Sequence, residues 1–452
     1  MTELTTLPTI TVLGAGYVGL TTAALLAHSG YMVYAVEPNE ERLQVIQSGV
    51  SFFYEDGLDV LIKTAIDNGT LIATSSYQAS IPKSHIVFSS VGTPDNPDGS
   101  SNLTYVFAAA TEAAKLMPEG AIYVQKSTVP VGTGTRIKQL FAQENKQIPY
   151  VSNPEFLREG TAVFDTLYFD RVVAGGDDFG AVQAVTGVYK QLELHRDDIA
   201  DIATIKKSRQ VGHYISTNLN SAELIKVTSN AFLALKISFA NSIAKLSDVV
   251  GADVVEVMDA VGADKRIGRA FLNAGRGYGG GCFPKDISGL IASGKEYGVD
   301  LAIMKAAQDV NNTMPTYVID KLSKKLDNLS GKKIAVLGLA FKAGTSDTRR
   351  SPGISIANSL VSLGVNVQAF DPKANEEASH NLDPAVIITS SIEEALINID
   401  VIIIATDWPE FIKQDPSFYT NRTTSRVIVD AVNKLDKHSY VSAGLQYIGV
   451  GR

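Results

Sequence analysis

The chain's only cysteine, Cys282, lies in "GYGGGCFPKD" (277–286), behind three glycines and two residues ahead of Pro284. Proline suits the first turn of a helix, so the thiol is expected at or just before a helix N-terminus. Exposed amides and the helix dipole there favour thiolate, a setting that a cysteine used as core filler does not need. Gly279, Gly280 and Gly281 are expected to leave room for a substrate beside the sulfur, and Asp286 falls about one helical turn further on, on the same face. Lys226 and Asn230, also four apart, present an ammonium and an amide on one face of a helical stretch, suited to holding an oxyanion. Alone, such a pair is more often a solvated face. "NPEFLREG" (153–160) adds Glu155, Arg158 and Glu159 in a loop-like stretch. Thiolate attack on an aldehyde gives a thiohemiacetal, loss of hydride gives a thioester, and water releases an acid. That sequence needs a hydride acceptor.

"GAGYVG" supplies its binding signature: Gly14, Gly16 and Gly19, enclosing Tyr17 and Val18. A lone GxGxxG is weak, but this one follows an apolar β-branched strand, opens a helical pattern and is followed by Glu37, 18 residues beyond Gly19 at the end of the next strand. Gly14 allows the tight turn, Gly16 lets the backbone approach a pyrophosphate, and Gly19 lets the helix pack on the sheet. Glu37 would accept hydrogen bonds from the adenosine ribose and repel a 2′-phosphate, so NAD is expected rather than NADP. Arg42 is the nearby residue that could tolerate a phosphate.

The elements around these residues alternate. Short apolar strands ("HIVFSSVGTP", "AIYVQKSTVP") separate helical runs, the pattern of a doubly wound parallel sheet. From about residue 216 to 250 a nearly Gly- and Pro-free helical stretch would span roughly 45 Å, longer than one small domain needs. It is expected to bridge two domains and to pack on a partner subunit. "IAVLGLA", "VQAFDP" and "DVIIIATDW" then echo the first third without its glycine signature. The expectation is an α/β chain of two Rossmann-like doubly wound parallel-sheet domains joined by a long central helix. Its segments are 1–210 (NAD-binding), 211–325 (helical, with the cysteine) and 326–452 (the second Rossmann-like domain, which need not bind a dinucleotide).

Composition narrows the function class. A net charge of −8 over 452 residues disfavours nucleic acid and acidic membranes as partners. No run approaches the roughly 18 apolar residues of a membrane helix, and the N-terminal stretch lacks signal-peptide order. A cytoplasmic location is expected, in keeping with a single cysteine, which can form no internal disulfide. Scattered histidines argue against a metal site. "YVIDK" (Tyr317 to Lys321) matches the YxxxK of short-chain dehydrogenases, but it lies about 300 residues beyond the glycine turn, in the wrong context for that chemistry.

Together "GAGYVG", "FYEDGL", "VGTP…DGS", "KSTVPVGT", "NPEFLREGTAVFD", "ELIKVTSNAFLALKISFAN", "RIGRAFLNAGRGYGGGCFPKD", "GKKIAVLGLAFKAGTSDTR" and "AFDP" occur in the order seen in the UDP-glucose/GDP-mannose dehydrogenase family. The chain resembles that family to about residue 410. "NPEFLREG" and the basic start of "RIGRAFLNAGRGYGGGCFPKD" are most similar to its UDP-glucose branch. The resemblance implies two NAD-dependent oxidations of the C6 alcohol of UDP-glucose, giving UDP-glucuronate. It implies Cys282 as nucleophile, Lys226 assisting proton transfer and steadying the oxyanion, Asp286 holding a water, Glu155 as base for thioester hydrolysis and Thr128 organising that water.

For the sugar nucleotide it implies Glu155, Phe156, Leu157, Arg158, Glu159, Lys226, Asn230, Phe271, Leu272, Asn273, Ala274, Gly275, Gly279 and Lys342, with Arg266 reaching a neighbouring subunit's ligand. For NAD it implies the glycine turn (Gly14, Gly16, Tyr17, Val18, Gly19), Glu37, Arg42, Thr93, Thr128, Glu159, Lys285 and Arg349. A homodimer or larger homo-oligomer follows from Arg266. Three departures stand out: Glu37 where aspartate is common, Arg350 where an acidic residue is usual, and "DAVNKL" (430–435) in place of a "DGRN"-like segment. Lys434 is the substitute cation there. The alternatives are the same chemistry on GDP-mannose or a UDP-N-acetylhexosamine, and a non-catalytic nucleotide-binding protein.

Overall fold

The computed structural model describes residues 7–423 and 426–452. The chain divides into two compact units, the first ending at Thr228 and the second starting at Ser229. The division falls inside one continuous helix, Leu219–Val250, whose 32 residues correspond to about 48 Å.

The first unit is built on an eight-stranded sheet: β1 (Ile10–Leu13), β2 (Val33–Val36), β3 (Leu71–Thr74), β4 (Ile86–Ser89), β5 (Ile122–Gln125), β6 (Tyr150–Ser152), β7 (Arg171–Gly175) and β8 (His213–Thr217), in the order β3-β2-β1-β4-β5-β6-β7-β8. Its central strands are buried on both faces, which is why they read as unbroken apolar runs. Alternate residues serve opposite layers: Ile10, Val12 and Phe88 pack with the first helix, Tyr17–His28, while Leu13, Val87 and Tyr123 pack with the helices on the other side. All pairs are parallel except β6 with β7, which meet antiparallel at Ser152 and Gly175. An antiparallel neighbour needs no full crossover, and the connection there carries only the short helix Ala162–Leu167. The sheet takes its last strand from beyond residue 210.

The second unit holds a six-stranded, wholly parallel sheet: β9 (Lys333–Leu337), β10 (Asn366–Phe370), β11 (Ile387–Ile388), β12 (Val401–Ile404), β13 (Val427–Asp430) and β14 (Gln446–Gly449), in the order β11-β10-β9-β12-β13-β14. Ile334, Val336 and Ile403 face one layer, Leu337, Ile402 and Ile404 the other. The helices Phe283–Glu296 and Ala302–Leu326 precede this sheet in the chain. Both sheets reverse strand order beside their first strand, at β1/β4 and at β9/β12, where α/β folds form ligand crevices beyond the carboxyl ends of the strands.

Candidate active site

At the switch point of the first sheet the three glycines are required for three different reasons. Gly14 has φ +82°, a conformation that side chains rarely adopt. A Cβ on Gly19 would lie 1.9 Å from Gly14 O, so only glycine lets the helix start so close to the turn. A Cβ on Gly16 would meet nothing within 4 Å. The open side of the turn is thus the helix N-terminus, a cradle for a pyrophosphate. Glu37, buried just after β2, accepts from Asn39 N at 3.0 Å. Arg42 is exposed, with its guanidinium over the Phe52 ring at 4.8 Å. Thr93 and Thr128 follow the ends of β4 and β5, and Val18 opens the helix, all half-buried.

Tyr17 links this turn to the "NPEFLREG" segment. Its hydroxyl donates to the buried carboxylate of Glu55, and Arg158 O lies 2.9 Å away. Glu55 also accepts from Gly160 N (2.9 Å) and Val163 N (3.2 Å). Burial pushes Glu55 above its ordinary pKa while these donors pull it back. Arg158 itself is exposed and paired with Asp165, and Glu159 and Leu157 are half-buried in the same turn.

Glu155 and Lys226 form a buried ion pair, Nζ to Oε1 3.0 Å, and Leu157 N donates to Oε2 at 2.5 Å. Burial pushes Glu155 up, but Lys226, the Leu157 N–H and Lys126 outweigh it and leave the carboxyl below its usual value. Lys126, also buried, donates to Tyr189 Oη (2.7 Å), which donates to Asn153 Oδ1 (2.6 Å). Phe156 lies beneath two cations, Arg171 at 3.8 Å and Lys226 at 5.4 Å from its ring centre. One turn before Lys226, Glu223 accepts from Gly132 N (2.7 Å) and Gly134 N (2.8 Å). It thereby fastens the "KSTVPVGT" loop, with Thr128, to the long helix.

In the second unit Cys282 is the N-cap of the helix Phe283–Glu296 and is exposed. Asp286, in the first turn, is buried; its Oδ2 accepts from Asn230 Nδ2 at 2.6 Å, and Lys285 Nζ lies 2.9 Å from Oδ1. The lysine pairs with this oxygen as an ion, and among the described residues no donor makes a hydrogen bond to Oδ1. The three glycines do not open a space for substrate as expected. A Cβ on Gly279 would meet Arg350 O at 2.2 Å, one on Gly280 the Phe341 ring at 2.8 Å, and one on Gly281 the Arg349 guanidinium at 2.4 Å. They let Phe341 and residues 349–350 close onto the backbone leading to Cys282. Arg349 is paired with Asp347, and Arg350 is exposed with φ +50°.

The run 271–276 is tied to the long helix at Asn241 and to "DAVNKL" at Ala431 and Asn433. Gly275 N donates to Asn241 Oδ1 (2.8 Å), Arg276 N to Ala431 O (2.7 Å), and Asn433 Nδ2 to Ala274 O (3.2 Å). Phe271 has φ +66°, Leu272 and Ala274 are buried, and Asn273 is exposed. Lys342 is half-buried, its Nζ 5.7 Å from the Phe341 ring centre. Lys434 is exposed, and so is Arg266, which holds Asp264. Tyr317 and Lys321 both bind Asp248, consistent with a structural role. Among the described residues no group of His, Cys, Asp and Glu could hold a metal ion, and no helix is long and apolar enough to cross a membrane.

Sequence reasoning missed Glu55, Lys126, Asn153, Glu223 and Arg276. All five stand inside family motifs but have roles visible only through partners far along the chain. Glu223 gave one signal, a carboxylate on the same helical stretch three residues before Lys226.

The NAD binding, central and UDP binding domains of the UDP-glucose/GDP-mannose dehydrogenase family match residues 8–193, 220–313 and 335–437. The chain is 38% identical over 447 residues to the UDP-glucose 6-dehydrogenase YwqF of Bacillus subtilis, covering 98% of this chain and 97% of that one. It is 35% identical over 444 residues to the UDP-glucose 6-dehydrogenase of Rickettsia felis, covering 98% and 96%. Among solved structures, a UDP-glucose dehydrogenase from Pyrobaculum islandicum superposes with a TM-score of 0.88 at 35% identity, covering 100% and 99% of the two chains. A UDP-D-ManNAc dehydrogenase from Pyrococcus horikoshii gives 0.84 at 27% identity, covering 98% and 99%.

Proposed function

We propose that this chain, which belongs to the UDP-glucose/GDP-mannose dehydrogenase family and is an NAD-dependent enzyme, oxidises the C6 alcohol of UDP-glucose twice to give UDP-glucuronate. NAD supplies the hydride acceptor, one molecule for each oxidation. The glycine turn fits its pyrophosphate and Glu37 its ribose, and we assign Val18, Arg42, Thr93, Thr128, Glu159, Lys285 and Arg349 to the same cofactor.

The chain's own residues handle protons, the carbonyl and water. The first oxidation turns the alcohol into an aldehyde, losing a hydride and a proton. Cys282 Sγ then adds to the aldehyde carbon, and Lys226 and Asn230 steady the resulting oxyanion. Loss of the second hydride leaves a thioester. A water held by Asp286 and deprotonated by Glu155 attacks it, expelling the thiolate and leaving the carboxylate. The observation that carries this reading is the Asn230–Asp286 hydrogen bond at 2.6 Å, which fixes a buried carboxylate in the first turn of the helix that Cys282 caps. Asp286 Oδ1, paired with Lys285 at 2.9 Å, keeps lone-pair capacity to accept from that water.

Phe232, Phe239 and Leu246, exposed and seven residues apart on the long helix, support association as a homodimer or larger oligomer. We place the reaction in the cytoplasm. The test is stoichiometric: the protein with NAD should form two NADH per UDP-glucose consumed, and Cys282→Ser should form no acid. NADH from GDP-mannose or a UDP-N-acetylhexosamine, and none from UDP-glucose, would overturn the substrate assignment. UDP-glucuronate at the normal rate from Cys282→Ser would overturn the covalent route.

A further inference from the structure

Arg276 is 5% exposed, yet no carboxylate pairs with it. Its guanidinium spends three of five N–H groups on the tips of two strands: Nε–H donates to Ala405 O, and Nη2 to Phe341 O (2.9 Å) and Thr406 Oγ1 (3.2 Å). Among the described residues nothing accepts from Nη1. Two carboxylates, Asp407 and Asp371, act on it through their charge. Asp371 is occupied by Leu339 N, Ala340 N, Trp408 Nε1, Lys373 N and Ala374 N, and among the described residues Asp407 makes no ion pair. Burial pushes the guanidinium down to about 10, against the pull of Asp407 and Asp371. A buried guanidinium with no carboxylate bonded to it is costly, so its retention calls for a partner from outside.

Its position says what that partner is. Phe341 lies in the loop after β9, Ala405 and Thr406 directly follow β12, and Arg276 N donates to Ala431 O just past β13. These are the carboxyl ends of adjacent strands at the point where the second sheet reverses its order, the crevice in which such sheets bind ligands. We propose that Arg276 is a binding residue for the diphosphate of the nucleotide sugar, its Nη1 fork donating to phosphate oxygens while its other N–H groups lock the β9 and β12 tips. A planar fork so anchored recognises a phosphate better than the flexible ammonium of Lys342 nearby. This rests on the function proposed above and adds a determinant to it.

The test compares UDP with uridine, which share the base and ribose and differ in the diphosphate, by calorimetric titration of the whole protein. In Arg276→Gln the UDP Kd should rise roughly ten- to hundredfold, the worth of a charge-assisted bond, with the uridine Kd unchanged. Arg276→Lys keeps a cation and loses the fork, so it should weaken UDP several-fold and again leave uridine alone. It also gives the reading if the glutamine variant fails to fold. UDP and uridine weakening together, or Arg276→Lys binding UDP like the parent, would show a rivet of the strand tips only. A parent protein that binds no UDP would instead sink the proposed function, and this inference with it.

Discussion

Lys226 Nζ stands 3.0 Å from Glu155 Oε1 with both side chains less than a tenth exposed, so neither charge has water to fall back on. Breaking such a pair by removing one partner is expected to cost about 3–5 kcal/mol, because the remaining charge is left buried. Lys226→Met should therefore melt well below the parent, and Lys226→Met/Glu155→Gln should recover part of the loss. The parent's Glu155 carboxyl lies below its ordinary value of 4.5, so the stability it gives is present above that pH and is lost as pH falls through the lowered value. Without Lys226 burial dominates and the sign reverses. A single variant as stable as the parent, or a double variant no better than the single, would show that the pair is not coupled.

Glu223 has the opposite pH dependence. Burial pushes its carboxyl up to about 7, while the Gly134 and Gly132 N–H groups pull the other way. A raised value means that the folded protein holds a proton that the unfolded chain releases near 4.5. Its contribution is complete below about 4.5 and declines as pH rises through about 7, by roughly 3 kcal/mol in all. Denaturant unfolding of the parent and Glu223→Gln at intervals from pH 5 to 8 should show a decline in the parent that the variant lacks. Parallel curves would mean that Glu223 titrates normally.

Tyr317 donates to Asp248 Oδ2 at 2.6 Å, and Gly451 N reaches the same oxygen at 3.1 Å. Asp248 on the long helix thus holds the helix Ala302–Leu326, through the YxxxK pair, and the backbone near the chain's C-terminal end. Tyr317→Phe should cost about 1 kcal/mol of stability and leave NADH formation unchanged. A hundredfold loss of turnover at unchanged melting temperature would make the tyrosine catalytic.

What was legible in the sequence was what local spacing encodes. β1 and β9 announced themselves because buried parallel strands need unbroken apolar runs, and Cys282 at a helix start followed from Pro284. The antiparallel meeting of β6 and β7 was not legible, since nothing in "YVS" or "RVVAG" records a neighbour's direction. Neither were Lys126, Asn153 and Tyr189, whose chain of hydrogen bonds joins residues up to 63 positions apart. "GGG" misled for a related reason: a glycine run reads equally as open space and as close approach, and only the position of Arg349 and Arg350 distinguishes them.

The first glycine turn lets the two meanings be separated by experiment. Gly16 and Gly19 lie within one helical turn, yet an added methyl would meet nothing within 4 Å at Gly16 and a carbonyl oxygen at 1.9 Å at Gly19. Gly16→Ala should therefore fold and melt like the parent, while its methyl occupies the surface that a pyrophosphate must approach; NAD affinity should fall at least tenfold with UDP affinity untouched. Gly19→Ala must push the helix Tyr17–His28 off Gly14 O, shifting Leu20, Ala23 and Ala24 out of a close-packed layer, so it should lose stability first and NAD binding as a consequence. Thermal melts beside NAD titrations of both variants check the pair. If Gly16→Ala bound NAD normally, the open face of the turn would not be the cofactor's side; if Gly19→Ala melted like the parent, the helix would not be held against Gly14 as the geometry requires.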